Sequence, residues 1–119
     1  MRIKKARQIL KSFADDTRLR IINLLNKGEM NVSEICAIVG SSQSNISKHL
    51  SRLRLTGVVS DKRKGLNVYY YLRTPENRAH RELVNAITKG LSGLEVFERD
   101  IDVMCKIRKK QSKITKKER

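Results

Sequence analysis

A chain of 119 residues has room for one domain around one modest core and excludes a large multidomain assembly. Its 27 Lys+Arg against 12 Asp+Glu give a net charge of +15 and a pI near 10.4. Such a balance disfavours cationic partners and points to polyanions, either nucleic acid or an anionic membrane surface.

The excess charge is spread along the chain. Residues 106–119 carry eight Lys/Arg and one Glu, leaving +8 on residues 1–105. The sequence has no apolar run of about 18 residues that could span a bilayer. The N-terminal Lys and Arg are not followed by an apolar signal core, which argues against export. Cys36 and Cys105 are too few for a disulfide framework, so a cytoplasmic protein with reduced thiols is expected.

Helical spacing appears first over roughly residues 2–14, through Ile3, Ala6, Ile9, Leu10 and Phe13. A second helix is predicted from the cap Asp16, with Leu19, Ile22 and Leu25 inward and Gly28 as its stop. Asn31, with Glu34 three residues on, reads as a capping box for a short third helix. Val32, Ile35 and Val39 are its expected buried positions, and Gly40 ends it. Ser41 or Ser42 caps a fourth helix whose apolar stripe is Ile46, Leu50 and Leu53, with Gly57 as its stop.

Two β-rich runs follow, Val58-Val59-Ser60 and Val68-Tyr69-Tyr70-Tyr71-Leu72, around a basic turn holding Lys62, Arg63 and Lys64. They predict a hairpin in which the tyrosines alternate faces. Pro75 suits the first turn of the next helix. Leu83, Ile87 and Leu91, then Leu94, Phe97, Ile101 and Met104, keep helical spacing to about residue 108, with Gly90 and Gly93 as a break. The expected fold is therefore mainly α (α+β): a winged helix-turn-helix of five to six helices and a two-stranded β-hairpin wing over residues 1–108. Residues 109–119 read as a basic, disordered tail.

The fourth helix carries the chemistry. Opposite its apolar stripe lie Ser44, Ser47, Lys48 and Ser51, with Ser42 and Gln43 at the N-terminal edge and Arg52 and Arg54 alongside. Serine is a mediocre helix former, and a merely solvated face would be better filled with Glu, Lys or Ala. Short hydroxyls, one amide and one amine instead suit close approach to base edges in a major groove. Arg52 and Arg54 are expected to meet phosphates, and Lys62, Arg63 and Lys64 to follow a backbone or enter the minor groove. The bland alternative for the wing is a solubility patch on an exposed edge. His49 lies beside the apolar stripe, where packing is a better reading than metal binding.

The chain resembles the ArsR family of winged-helix repressors. The resemblance is carried by Ala14-Asp15-Asp16-Thr17-Arg18-Leu19-Arg20-Ile21-Ile22, by Gly28-Glu29-Met30-Asn31-Val32-Ser33-Glu34-Ile35, and by Ser42-Gln43-Ser44-Asn45-Ile46-Ser47-Lys48-His49-Leu50. Arg63-Lys64-Gly65 with Tyr69-Tyr70-Tyr71-Leu72 extends it into the wing. It implies a homodimeric repressor on palindromic double-stranded operator DNA, released by an inducer. The first and fifth helices would form the dimer interface, with Ile3, Ile9, Leu10, Leu83, Ile87 and Leu91 as candidates. Intrachain core is the competing role for those six.

The sensing residues depart from the family. Where its arsenic- and cadmium-sensing branch has Cys-Val-Cys, this chain has Asn31-Val32-Ser33, which offers no thiolate for a soft metal. Glu76, His80 and Glu82 do not make the paired ligands of the zinc- and nickel-type branch. No metal site and no cofactor is therefore assigned, and the inducer is unidentified. Cys36 reads first as a small core filler; Cys36 and Cys105, the latter beside Lys106, Arg108 and Lys109, are the alternative thiol sensors. A non-specific or architectural nucleic-acid binder is the competing function, with the basic tail dominating. No pair of carboxylates in an apolar pocket, phosphate-binding Gly-rich loop or Ser/Cys–His arrangement is apparent in the sequence, so an enzyme is not expected. The tail lacks the apolar residues needed for membrane insertion.

Overall fold

The computed structural model describes residues 2–75 and 77–117, with side chains described to residue 111. In chain order the elements are α1 (Ile3–Phe13), α2 (Asp16–Leu25), β1 (Met30–Asn31), α3 (Val32–Val39), α4 (Gln43–Leu55), β2 (Val59–Lys64), β3 (Asn67–Leu72), α5 (Arg78–Leu91) and α6 (Glu95–Lys117).

Local chemistry sets most of the boundaries. Asp15, not Asp16, caps α2 by accepting the Arg18 backbone N–H at 3.0 Å. This corrects the expected cap Asp16 by one residue, because Asp15 keeps the extended backbone that a cap requires whereas Asp16 is already helical. The Asn31–Glu34 capping box forms in both directions. Gly40 (φ 75°) then turns the chain in the left-handed region, and Ser42 caps α4 by accepting from the Asn45 backbone N–H. The neighbouring Ser41 accepts instead from the Asn45 side chain at 2.7 Å.

The sheet is larger than the expected hairpin. It has three antiparallel strands in the order β1-β3-β2, with Met30 opposite Tyr70 and Asn31 opposite Tyr69. A two-residue strand carries too little periodicity to be legible in sequence. The β2–β3 register runs from Val59 opposite Leu72 to Lys64 opposite Asn67. The turn is therefore Gly65-Leu66 alone, and Lys62, Arg63 and Lys64 belong to a strand. Gly65 (φ 61°) followed by a residue of negative φ fits the II′ geometry that matches strand twist.

One core joins these elements. Ile9, Ile21, Leu24, Ile35, Ile46, Leu50 and Leu53 have no exposed surface, and Met30, Val58 and Val59 are nearly as deep. In α3 the buried partner of Ile35 is Ile38, whereas Val32 and Val39 are half-buried against the cluster. Tyr70 is the inward-packing tyrosine, as strand alternation requires. Ile9, a candidate for the dimer face, lies wholly within the chain's own core. One-sided helical spacing could not tell it from Ile3 and Leu10, which are 86% and 51% exposed.

Helix α6 packs on α2 and α3. Asp100, nearly buried, accepts two hydrogen bonds from the Arg20 guanidinium, each 2.8 Å long, and these raise the Arg20 pKa. Removing Arg20 would leave the buried Asp100 carboxylate unpaired, at a cost of roughly 3–5 kcal/mol. Pro75 precedes Asn77, which is the actual cap of α5, and so stands outside its first turn. Residues 92–94 separate α5 from α6 as Gly93 suggested, but Leu94 is 44% exposed. The basic segment from residue 109 continues α6 as helix to Lys117, correcting the expected disorder. It contains no breaker, and Lys, Arg and Gln extend an existing helix readily. Residues 118 and 119 lie outside the described residues.

Candidate nucleic-acid interface

Helix α4 is two-sided in a way that composition alone does not require. Ile46, Leu50 and Leu53 anchor it with no exposed surface, while Ser42, Gln43, Ser44, Ser47, Lys48, Ser51 and Arg52 are all exposed. Among the described residues, the side chains of Gln43, Ser44, Ser47, Lys48, Ser51 and Arg52 make no internal hydrogen bond or ion pair. No acidic residue lies on this helix. The face is thus a set of unspent donors and acceptors with net positive charge.

Both flanks of α4 are held. Arg54 Nη1 lies 3.5 Å from Asp61 Oδ2, which ties the wing side of the helix to β2. On the other flank His49 Nδ1 faces Arg18 Nη1 at 3.2 Å. Arg18 is buried and also donates to the Ser12 carbonyl at 2.7 Å and the Lys11 carbonyl at 3.3 Å, so α4 is fastened to the α1–α2 corner. Asp15 Oδ2 stands 3.7 Å from the same His49 Nδ1. Partial burial pushes the Asp15 pKa up, but the Arg18 backbone N–H and the charges of His49 and Arg18 bring it below its ordinary value. Lys5 closes the C-terminal end by donating to the Thr56 carbonyl at 2.9 Å. His49 is therefore a packing and hydrogen-bonding residue.

The wing divides its cations. Lys62 and Lys64 share one face of β2 and both pair with Glu29, which precedes β1; the Lys62 contact is 2.6 Å. Hydrogen bonds from Lys62 and then Lys64 hold the Glu29 carboxyl below its usual range. Each ammonium also sits over a tyrosine, Lys62 on Tyr71 and Lys64 on Tyr69, about 5.5 Å from the ring centre. Arg63 points to the opposite face, the one that carries Asp61 and meets α4. It is exposed and makes no internal ion pair or hydrogen bond among the described residues. Sequence reasoning missed the Glu29 clamp, whose partners are 33 and 35 residues apart.

The remaining candidates separate. Ile3 and Leu10 are exposed on α1, whereas Leu83, Ile87 and Leu91 on α5 are half-buried. Cys36 is half-buried beside the core and Cys105 is exposed; both are free thiols. The Asn31 side chain, at the position where the arsenic-sensing pattern has a cysteine, is spent capping α3. Glu76 lies outside the described residues, and Glu82 pairs with Arg78. His80 is buried with Nε2 lacking a hydrogen-bond partner; burial, then Lys5 and Arg73, lowers its pKa.

A short helix, a tight Gly turn, an outward-facing polar helix and a hairpin behind it define a winged helix-turn-helix protein. Residues 15–61 match the model of the family described as bacterial regulatory protein, arsR family. The transcriptional repressor SdpR of Bacillus subtilis is 39% identical over 83 residues, covering 69% of this chain and 92% of its own length. The arsenic resistance transcriptional regulator ArsR1 of Pseudomonas putida is 40% identical over 87 residues, but those are 70% of this chain and only 62% of that regulator. Among solved structures, the transcriptional repressor BigR of Xylella fastidiosa superposes with a TM-score of 0.65 at 29% identity, covering 78% of this chain and 89% of that one. The chain belongs to the arsR family of bacterial regulatory proteins.

Proposed function

We propose that this protein is a sequence-specific DNA-binding transcription regulator, acting as a homodimeric repressor that leaves its operator when an inducer binds. The observation that carries the reading is the outward face of α4, where Gln43, Ser44, Ser47, Lys48 and Ser51 are exposed and internally unpaired on a helix fixed by a fully buried stripe. These groups match the donor and acceptor patterns of major-groove base edges, and their short reach lets the backbone approach closely. Arg63 supplies a free cation for the phosphate backbone from the wing.

Pairing through α1 and α5 is supported by the exposed Ile3 and Leu10 and by the half-buried Leu83, Ile87 and Leu91. Such a pair would place one α4 in each of two successive major grooves, about 34–36 Å apart. The names of SdpR and BigR support repression in particular. Asn31 and Ser33 in place of soft thiolates set arsenic apart as inducer, despite the likeness to ArsR1.

Selection of binding sites from a random duplex pool by the full chain tests the reading. The expected product is a palindrome with half-sites one helical turn apart, bound by two copies and preferred over random duplex at moderate salt by at least about 10³. A pool that enriches no motif, with equal affinity for all duplexes, would return the protein to the architectural class.

A further inference from the structure

Beyond the bases it reads, a helix in the major groove is bordered by two phosphate backbones, and the flanks of α4 differ in what they offer each. The wing lies on the Arg54 flank. On the Arg52 and His49 flank, a cleft of about 390 Å³ opens between α1 and the C-terminal end of α4. Gln8, Lys11 and Ser12 line it from α1, buried Arg18 from α2, and Arg52 and Leu55 from α4. Among the described residues no carboxylate lines it.

We infer that this cleft is a phosphate site that grips the operator backbone on the side away from the wing. The inference rests on the DNA-binding reading above and adds a contact to it. At about 100° per residue, Leu55 continues the line of Ser44, Lys48 and Ser51, with Arg52 one helical turn after Lys48. The cleft is therefore the end of the readout face, where the groove's edge would lie.

Three features make the cleft suited to an oxyanion. Lys11 and Arg52 are exposed and face it without internal ion pairs among the described residues. Arg18 uses three of its five N–H groups on Ser12, Lys11 and His49, so two are left beside the cleft. The C-terminal carbonyls of a helix would normally repel an anion, but Thr56 O at this helix end is already occupied by Lys5. The cleft also lies on a different flank of α1 from Ile3 and Leu10, so pairing through those residues would leave it open.

The test is the salt dependence of binding by the full chain, measured by fluorescence anisotropy on a selected operator and on a mixed-sequence duplex of about 30 base pairs. Lys11→Ala and Arg52→Ala should each lower the slope of log K against log salt by about 1 on both duplexes, because a backbone contact is blind to sequence. Gln8→Glu, which brings a carboxylate into the cleft from α1, should weaken both by a similar or larger factor. Lys27→Ala removes the same unit of charge from an exposed turn outside the cleft and should leave the slope unchanged. Equal effects of Lys27→Ala and Lys11→Ala, or none from Lys11→Ala and Arg52→Ala, would overturn the site while leaving base readout by Gln43 and Ser44 intact. A wild-type chain that binds neither duplex overturns the site and the function together.

Discussion

Helix α4 and the wing carry similar exposed charge and use it differently. On α4 the side chains of Gln43, Ser44, Ser47, Lys48, Ser51 and Arg52 make no internal bond among the described residues, and the helix is positioned by residues that face away from solvent. On β2 two of the three consecutive cations are drawn onto Glu29 and the tyrosines, and only Arg63 is left free. Exposure is therefore not availability. A side chain reads or binds only with bonding capacity that the fold has not already claimed, and by that measure α4 is a surface kept open, whereas most of the wing is a brace. The brace has its own use, since an exposed two-stranded ribbon is marginal alone.

The sharpest way to break this contrast is at α4. Gln43→Ala with Ser44→Ala should reduce operator affinity at least about 30-fold, at roughly 1–3 kcal/mol for each good base contact, while random-duplex affinity stays unchanged. Competition binding on both duplexes measures this, and equal losses on the two would show that α4 contributes charge and no reading. Next in size is Arg63→Ala, expected to weaken operator and random duplex alike by several-fold and to lower the salt slope by about 1. Lys62→Ala with Lys64→Ala should cost less than Arg63→Ala although it removes twice the charge. The reverse order would mean that the Glu29 clamp opens on DNA.

A smaller effect of opposite sign is expected from Glu29→Gln. Releasing both lysines should strengthen binding to any duplex a few-fold and steepen its salt dependence. The smallest effect is a pH one. Hydrogen bonds from Lys62 and Lys64 depress the Glu29 pKa, so its contribution is present above the ordinary carboxylate range and is lost only as pH falls through the lowered value. The difference in salt slope between wild type and Glu29→Gln should hence stay constant from pH 7.5 to about 5. A difference that shrinks within that interval would place the clamp's titration too high for this geometry.

What the sequence made legible was local. The stripe of Ile46, Leu50 and Leu53, the Asn31–Glu34 capping box and the Gly57 stop each depend on neighbours within four residues, and the structure bears them out. The Ser-rich outward arc followed from the same periodicity. Long-range pairings were not legible: Glu29 with the wing, Arg20 with Asp100 and Arg18 with His49 are set by packing between elements, and no spacing rule encodes them. Ile9 failed for a related reason, because a helix with two apolar edges does not announce which edge the chain keeps for itself. Lys62–Lys64 were misplaced because a basic, Gly-containing run reads as loop, whereas cross-strand tyrosines extend the ladder through it.

The hydrogen bond from Lys5 to the last turn of α4 has a mechanical consequence. Helix α1 carries Ile3 and Leu10, the exposed residues proposed above to pair two copies, and the same helix props the far end of α4. A small roll of α1 would be geared directly into the tilt of α4, and two such tilts in a pair would change the span between reading heads. An agent that loosened or tightened the pairing could thereby retune the fit to fixed DNA spacing without coming near a base.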